Sequence, residues 1–438
     1  MRRLYHWSFV TQSLFYMFLL TSPLNVYGLG THGFNYRFSR IFLIFTLFAI
    51  VIERLAKRRN LFVKLLPFDY LVGVYCFLAL LSSFYVSNFG AFFKRFSQLL
   101  ECIVILYLIR MFNNEKGYWL KSVRVYLLSS IPVLLASLYQ ITNVLRGNLY
   151  GTVLPFPSLL LLERYEELGN WQYFGGVMNG ISRVPSTFAD PNTLAGYCAS
   201  LIPFAIMVVL ISNKNKMIRW KTLLNLLILL GLVVMVMASV SKTGFLGMVL
   251  GILFLGKFTF MKFSAKQKRW GNIIITLIIV FGVFYGLRIT DYIVNRLSFR
   301  DSGHIEYSLS AWKEYFAGSL LLGKGFGQYE SVSAHVIVIT ALIELGIFGG
   351  IIIFFITMQP FVYIKYLSGL SSRMNYDPRV NNWFFFMSAS LSSCFTVVFG
   401  LYLYDYWFHL FTWISLSLLM SLVSLTKYEF KRNVFSKL

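Results

Sequence analysis

Charge is what this 438-residue chain has least of. Only 13% of its residues are charged, roughly half of the ~25% found in soluble domains. Acidic residues are scarcer still, 17 against 40 lysines and arginines. A chain so poor in charge and 57% hydrophobic has lipid for most of its solvent, which excludes an ordinary soluble enzyme. The four cysteines (Cys76, Cys102, Cys198, Cys394) fall inside apolar runs and form no CxxC pair, which excludes a disulfide framework. No DxD and no cluster of His, Cys and Glu at ligand spacing occurs, so the sequence offers no metal or cofactor site. Repeats, low-complexity runs and Pro/Gly-rich linkers are also missing. The chain reads as a single membrane domain over 1–438.

What is present is a series of apolar segments. At about 20 apolar residues per crossing, roughly twelve spans are expected. They lie near 8–29, 36–53, 68–87, 97–112, 125–144, 190–212, 222–240, 244–261, 271–290, 335–363, 383–403 and 407–426. The expected fold is an all-α, polytopic integral membrane protein. The net charge of +23 sits in short runs between these segments, as polytopic topology requires. It is no footprint of nucleic acid. With the N-terminus inside, lysine and arginine favour the inside segments about two to one, with RLAKRRN and KFSAKQKRW as anchors. Both termini are therefore expected to be cytoplasmic. The two long polar stretches, 145–189 and 288–334, then become extracytoplasmic loops.

The first loop ends in SRVPSTFADPNTLAGY. Asp190 suits an N-cap, Pro191 the first helical position, and Asn192 the first turn. Arg183 lies just upstream. An arginine beside a helix N-terminus makes a site for phosphate or pyrophosphate. The plainer reading stays open, with Asp190-Pro191-Asn192 only a helix start and Arg183 an interfacial anchor. The second loop mixes cations (Arg288, Arg296, Arg300, His304) with aromatics such as Trp312, a mixture suited to glycans and equally to a membrane interface. GSLLLGKGFGQYE is dense in glycine and reads as a turn system.

His335 stands at the mouth of the next apolar helix. The helix dipole disfavours its cationic form, leaving a neutral proton acceptor; an interfacial histidine without chemistry is the alternative. Gly346 falls about three turns on, on nearly the same face. With Gly350 it forms a small-xxx-small pair that would admit another helix. Glu344 points to roughly the opposite side and must find a partner. Glu101, Glu344 and Asp405 are scattered, and no intramembrane carboxylates with matching cations suggest an ion relay.

Three stretches carry a resemblance. Arg183-x-x-Ser186-Thr187-Phe188-Ala189-Asp190-Pro191-Asn192 resembles the R-x-x-G-T-F-x-[DN]-P-N motif of the O-antigen ligase/polymerase superfamily, with Ser186 where glycine is common. ASVSKTGFLG (238–247) resembles that superfamily's downstream turn. Trp312…LLGKGFGQY…Ala334-His335…Glu344-Leu345-Gly346-x-x-Gly349 resembles its return helix. Leu320-Leu321-Leu322 stands without the usual proline, and His304 stands near a position often held by arginine.

The resemblance implies a GT-C-like, metal-independent, inverting glycosyltransferase of the cytoplasmic (inner) membrane, active on the periplasmic or extracellular face. The donor would be a glycan on undecaprenyl diphosphate. Arg183 and a loop arginine (Arg288, Arg296 or Arg300) would hold the diphosphate, with His304 and Trp312 beside substrate. His335 would activate the acceptor hydroxyl, and Asp190, Pro191, Asn192, Gly346 and Gly349 would shape the site. The favoured expectation is a polymerase joining repeat units into O-antigen, capsule or exopolysaccharide. A ligase that moves polymer to lipid A-core is the alternative. A chain-length regulator and a flippase are the expected partners in the membrane. A transporter or flippase for lipid-linked sugars is a third reading; it would concentrate polar groups at mid-membrane and show internal symmetry.

Overall fold

The computed structural model describes residues 7–24, 28–31, 34–58, 63–113, 116–145, 177–178, 181–188, 190–212, 219–259, 313, 320–328, 336–373, 378–403 and 408–435. These residues are overwhelmingly helical. The helices are α1 (Phe9–Thr21), α2 (Phe38–Ala56), α3 (Pro67–Leu81), α4 (Phe89–Phe112), α5 (Lys116–Leu128), α6 (Ser130–Leu145), α7 (Pro191–Ser212), α8 (Arg219–Ala238), α9 (Lys242–Thr259), α10 (Ile337–Arg373), α11 (Pro378–Leu403) and α12 (Leu410–Phe435). Two short antiparallel hairpins accompany them: β1 (Gly28–Thr31) with β2 (Phe34–Arg37), and β3 (Val177–Met178) with β4 (Ile181–Ser182). They are a small departure from an all-α expectation.

Local chemistry sets the helix ends. Pro67 opens α3 at a position where a missing N–H costs nothing. Ser8 and Asn88 cap α1 and α4 by accepting from Thr11 N and Ala91 N. The first expected span runs to residue 29, but α1 stops at Thr21. Pro23 cannot continue the helix, and the chain turns into the β1–β2 hairpin. The expected span at 125–144 is two helices, broken at Ser129. Pro132 has no N–H for the Leu128 carbonyl, so the helical ladder is interrupted there. The apolar run at 271–290 lies outside the described residues.

Among the described residues, five segments are long and apolar enough to cross a bilayer: Pro67–Phe84, Gly117–Thr142, Pro191–Ile211, Ile337–Lys365 and Trp383–Tyr402. They make this a multi-pass membrane protein. α7 is the hub, with 94% of its apolar window buried. A helix apolar on every side is a buried one, and α7 packs against α8, α9 and α11. Another layer joins α3, α4, α10 and α12. The opposite faces of α2, α3 and α4 leave Phe45, Phe48, Phe77 and Phe93 exposed, as side chains in contact with acyl chains would be.

The close helix approach occurs somewhere other than Gly346 and Gly350. A Cβ on Gly251 would lie 2.2 Å from Thr396 Oγ1, and one on Gly247 would lie 3.3 Å from Thr396 Cγ2. Ser392 donates to the Gly251 carbonyl and Thr396 to the Gly247 carbonyl. Gly247-x-x-x-Gly251 on α9 is thus the small-residue pair, and α11 is the helix it admits. Gly244 does the same against Ala195 of α7.

The carboxylates are also better matched than their scatter suggests. Arg40 of α2 grips both oxygens of Glu101 on α4 at 2.9 and 3.0 Å through Nε. Asp69 of α3 and Arg110 of α4 form a pair in which each side chain is 1% exposed. Asp69 additionally accepts from Leu66 N, and Arg110 donates to Lys64 O. These side-chain pairs fasten neighbouring helices. The Asp69–Arg110 pair sits at helix ends, where it is better placed to hold a terminus than to relay ions across the bilayer.

Candidate functional site

The segment 183–192 is built into the bundle. Arg183, 8% exposed, donates from Nε to Ser239 O at 3.0 Å and from Nη2 to Asn192 Oδ1 at 2.8 Å. Val184 N donates to Ala238 O at 3.1 Å. The first and second of the resembling stretches, some fifty residues apart in sequence, are therefore in direct contact. The arginine reaches back to the first turn of α7 that follows it. Asp190 Oδ2 accepts from Thr193 N at 2.8 Å, which makes Asp190 the N-cap, with Pro191 the first residue of α7.

Ser186 explains why glycine suits this place in the motif. Its φ is +56°, a left-handed conformation that costs a residue with a Cβ about 1–2 kcal/mol. Three bonds hold it there. Gln140 of α6 accepts from Ser186 N at 2.8 Å and donates to Ser186 O at 3.3 Å, while Ser186 Oγ donates to Val133 O at 2.6 Å. Thr187 Oγ1 donates to Pro23 O at 2.8 Å, fixing the segment to the end of α1.

The third stretch meets itself. α10 is kinked at Gly346, where φ is +65° and ψ −163°. The kink opens the helical ladder, and the turn 320–327 fills the gap. Lys324 N donates to Ile343 O at 2.8 Å, Gly325 N to Glu344 O at 2.9 Å, and Ile347 N to Leu320 O at 3.0 Å. A Cβ on Gly346 would lie 2.1 Å from Leu321 O, and one on Gly323 would lie 2.6 Å from the Glu344 backbone. What Gly346 admits is a loop rather than a helix, and a Cβ on Gly350 would meet Leu342 of its own helix, which corrects the helix-approach expectation for the pair. Gly349 lies in the same tight bend, where an added Cβ would meet Leu345 and Ala341 of its own helix.

The Glu344 carboxylate is buried here. Its Oε1 accepts from Gly327 N at 3.2 Å and faces Arg95 Nε at 3.9 Å. Gln328 secures the turn to α4 by accepting from Asn88 N at 2.7 Å and donating to Asn88 O at 2.8 Å. The Arg95 guanidinium lies 3.9 Å over the Phe408 ring, and Phe326 packs edge-on against the same ring.

These contacts gather the three stretches at one end of the bundle. Phe408 precedes His409 and α12, and His409 lines a small recess with Ser22, Arg37, Phe188, Tyr197 and Phe411. Phe188 belongs to the first stretch. Dehydration in the recess, then the nearby charges of Arg37 and Arg95, hold the partly buried imidazole well below the usual histidine pKa, so it is neutral.

Of the sequence-derived site residues, Arg183, Asp190, Pro191, Asn192, Gly346 and Gly349 are placed as above. His335, Arg288, Arg296, Arg300, His304 and Trp312 lie outside the described residues. The described chain resumes at Val336, next to His335, and the turn that ends at Gln328 lies seven positions before it.

Sequence reading passed over Arg37, Arg95, Gln140 and His409. For His409 the signal existed: it directly precedes a long apolar run, as His335 does in the sequence. Among the described residues no three His, Cys, Asp or Glu side chains gather where a metal ion could be held. No protein-family model matches the chain, and no curated protein matches it.

Proposed function

We propose that this protein is a membrane glycosyltransferase of the O-antigen ligase/polymerase type, which polymerises undecaprenyl-diphosphate-linked repeat units into a cell-surface polysaccharide. The observation that carries the reading is the contact between the first two resembling stretches, Arg183 bonded to Ser239 O and Asn192 Oδ1, with the third folded on itself where the 320–328 turn closes on Gly346. The reading includes about twelve spans in a GT-C-like arrangement, both termini in the cytoplasm and this bundle end facing outward.

In this reading the leaving group is a lipid diphosphate, whose developing charge needs fixed cations. Arg183 is held rigid by its own bonds, so it presents charge without reorganisation. An arginine of the 288–300 stretch supplies the second cation. His335 takes the acceptor proton as the sugar oxygen attacks, and the lipid tail enters sideways between helices. The clasp on Gly346 and Gln328 fixes both flanks of the segment bearing His335.

The test is a glycan gel of cells lacking the protein, complemented with wild type, His335→Ala or Arg183→Ala. The expected result is a ladder with wild type and a single repeat unit with either variant. Long polymer left on the lipid carrier, with bare lipid A-core, would make the protein a ligase. Absence of any outward-facing lipid-linked repeat unit would indicate transport and end the reading.

A further inference from the structure

We infer that the tip of the 320–328 turn, Leu320-Leu321-Leu322, is embedded in the adjoining leaflet of the bilayer, so that lipid acyl chains cover the clasp on α10. Nothing in this placement depends on the glycosyltransferase reading. It revises the expectation of a water-exposed loop over the whole of 288–334.

The tip serves the clasp through its backbone. Ile347 N donates to Leu320 O, and Tyr85 Oη donates to Leu322 O at 2.7 Å. The three leucine side chains stay 48, 60 and 56% exposed, whereas Phe326 of the same turn is fully buried. Nor does the apolar patch end at the tip. It continues along α10 through Ile347, Ile351 and Phe355, and along α3 through Phe84, Leu81 and Phe77, all of them exposed. Residues so spaced share one helix face, and α3 and α10 pack as neighbours. The leucines therefore close the end of a seam between two stripes that already face lipid.

Two helices measure the depth of the tip. Pro67–Phe84 has 18 residues, about 27 Å of helix against a hydrocarbon layer of about 30 Å. Tyr85, which holds Leu322, thus marks the edge of that layer, where tyrosine is enriched. Beyond its kink, α10 supplies 347–365, about 28 Å of helix, which puts Ile347 and its partner Leu320 at the same edge. Lipid further demands that irregular backbone find its partners within the protein. Lys324 N and Gly325 N donate to Ile343 O and Glu344 O, Phe326 N to Ser82 Oγ, and Gly327 N to Glu344 Oε1. The polar end of the turn is Gln328, which bonds exposed Ser87 and Asn88.

The experiment is spin-label accessibility in phosphatidylcholine liposomes, on the full chain with its native cysteines replaced by alanine. Nitroxides are attached one at a time to Leu321→Cys, to Phe355→Cys as the lipid reference and to Ser87→Cys as the water reference. Collisions with oxygen, which concentrates in lipid, are compared with collisions with a water-soluble nickel chelate. At position 321 oxygen collisions should exceed nickel collisions several-fold, as at 355, with the order reversed at 87. Nickel collisions at 321 equal to those at 87 would put the tip in water and overturn the inference. Few collisions with either reagent would mean that protein covers the tip, a second copy or another segment of this chain, and would overturn it equally. If the labelled proteins fail to melt cooperatively, the wild type decides. A phosphatidylcholine with a diazirine on its acyl chain, crosslinked and mapped by mass spectrometry, should mark 320–322 as heavily as 347–355, and marks confined to the helices would overturn the inference.

Discussion

At the scale of single residues, the chain tolerates strain where several bonds determine it. Ser186 is left-handed because Gln140 clamps its amide and carbonyl and Val133 takes its hydroxyl. Ser186→Ala keeps the left-handed penalty and loses a bond of about 1 kcal/mol, whereas Ser186→Gly loses the bond and relieves about 1–2 kcal/mol of strain. The glycine variant should melt above the alanine variant in detergent, and the reverse order would disprove the strain argument. The Asp69–Arg110 pair gives a second case. Asp69→Ala strands a buried guanidinium and should cost about 3–5 kcal/mol. Pairing it with Arg110→Leu should recover most of the loss in the same melting assay. The motif spacing showed that Arg183, Asp190 and Asn192 belong together. It could not show Gln140 or His409, because a partner that arrives through tertiary folding leaves no local pattern.

At the scale of elements, glycine divides into two uses. In α9, Gly247 and Gly251 let α11 come close enough for Ser392 and Thr396 to reach backbone carbonyls. Gly251→Val should therefore destabilise the bundle by about 1–3 kcal/mol through overpacking. Gly256→Ala, whose new Cβ meets nothing within 4 Å, should leave the melting temperature unchanged or slightly raised. In α10, Gly346 makes a kink that a loop repairs. Gly346→Ala meets both a left-handed φ and the Leu321 carbonyl, and the turn at 320–328 should detach. Faster proteolysis near Lys324 in membranes would report it; an unchanged cleavage rate would show that the clasp withstands the substitution. Hydrophobic runs gave the helices their places. Gly247-x-x-x-Gly251 and Gly346-x-x-x-Gly350 present the same spacing in the sequence, and only what comes to lie against Gly251 and Gly346, a helix or a loop, separates them.

At the scale of the whole molecule, the ends of the bundle differ. One end gathers the segment 183–190, the turn 320–328, Arg37, Arg95 and His409; the other holds Trp7, Phe112 and the Asp69–Arg110 pair. If the first end faces outward, a cysteine placed at exposed Ser87 should react with an impermeant maleimide in intact cells. One placed at exposed Lys57 should react only after lysis. The opposite pattern would invert the topology and remove the site from its substrate. Crossing segments were legible because lipid demands long apolar runs, whereas orientation rests on the lysine and arginine bias alone.

The most direct measurement is reconstitution: the purified protein in liposomes with an undecaprenyl-diphosphate-linked repeat unit, its products resolved by gel. The account predicts a ladder of polymer and one undecaprenyl diphosphate released per linkage, both lost with His335→Ala. A folded protein that leaves the repeat unit unjoined, or a ladder that His335→Ala leaves intact, would contradict it.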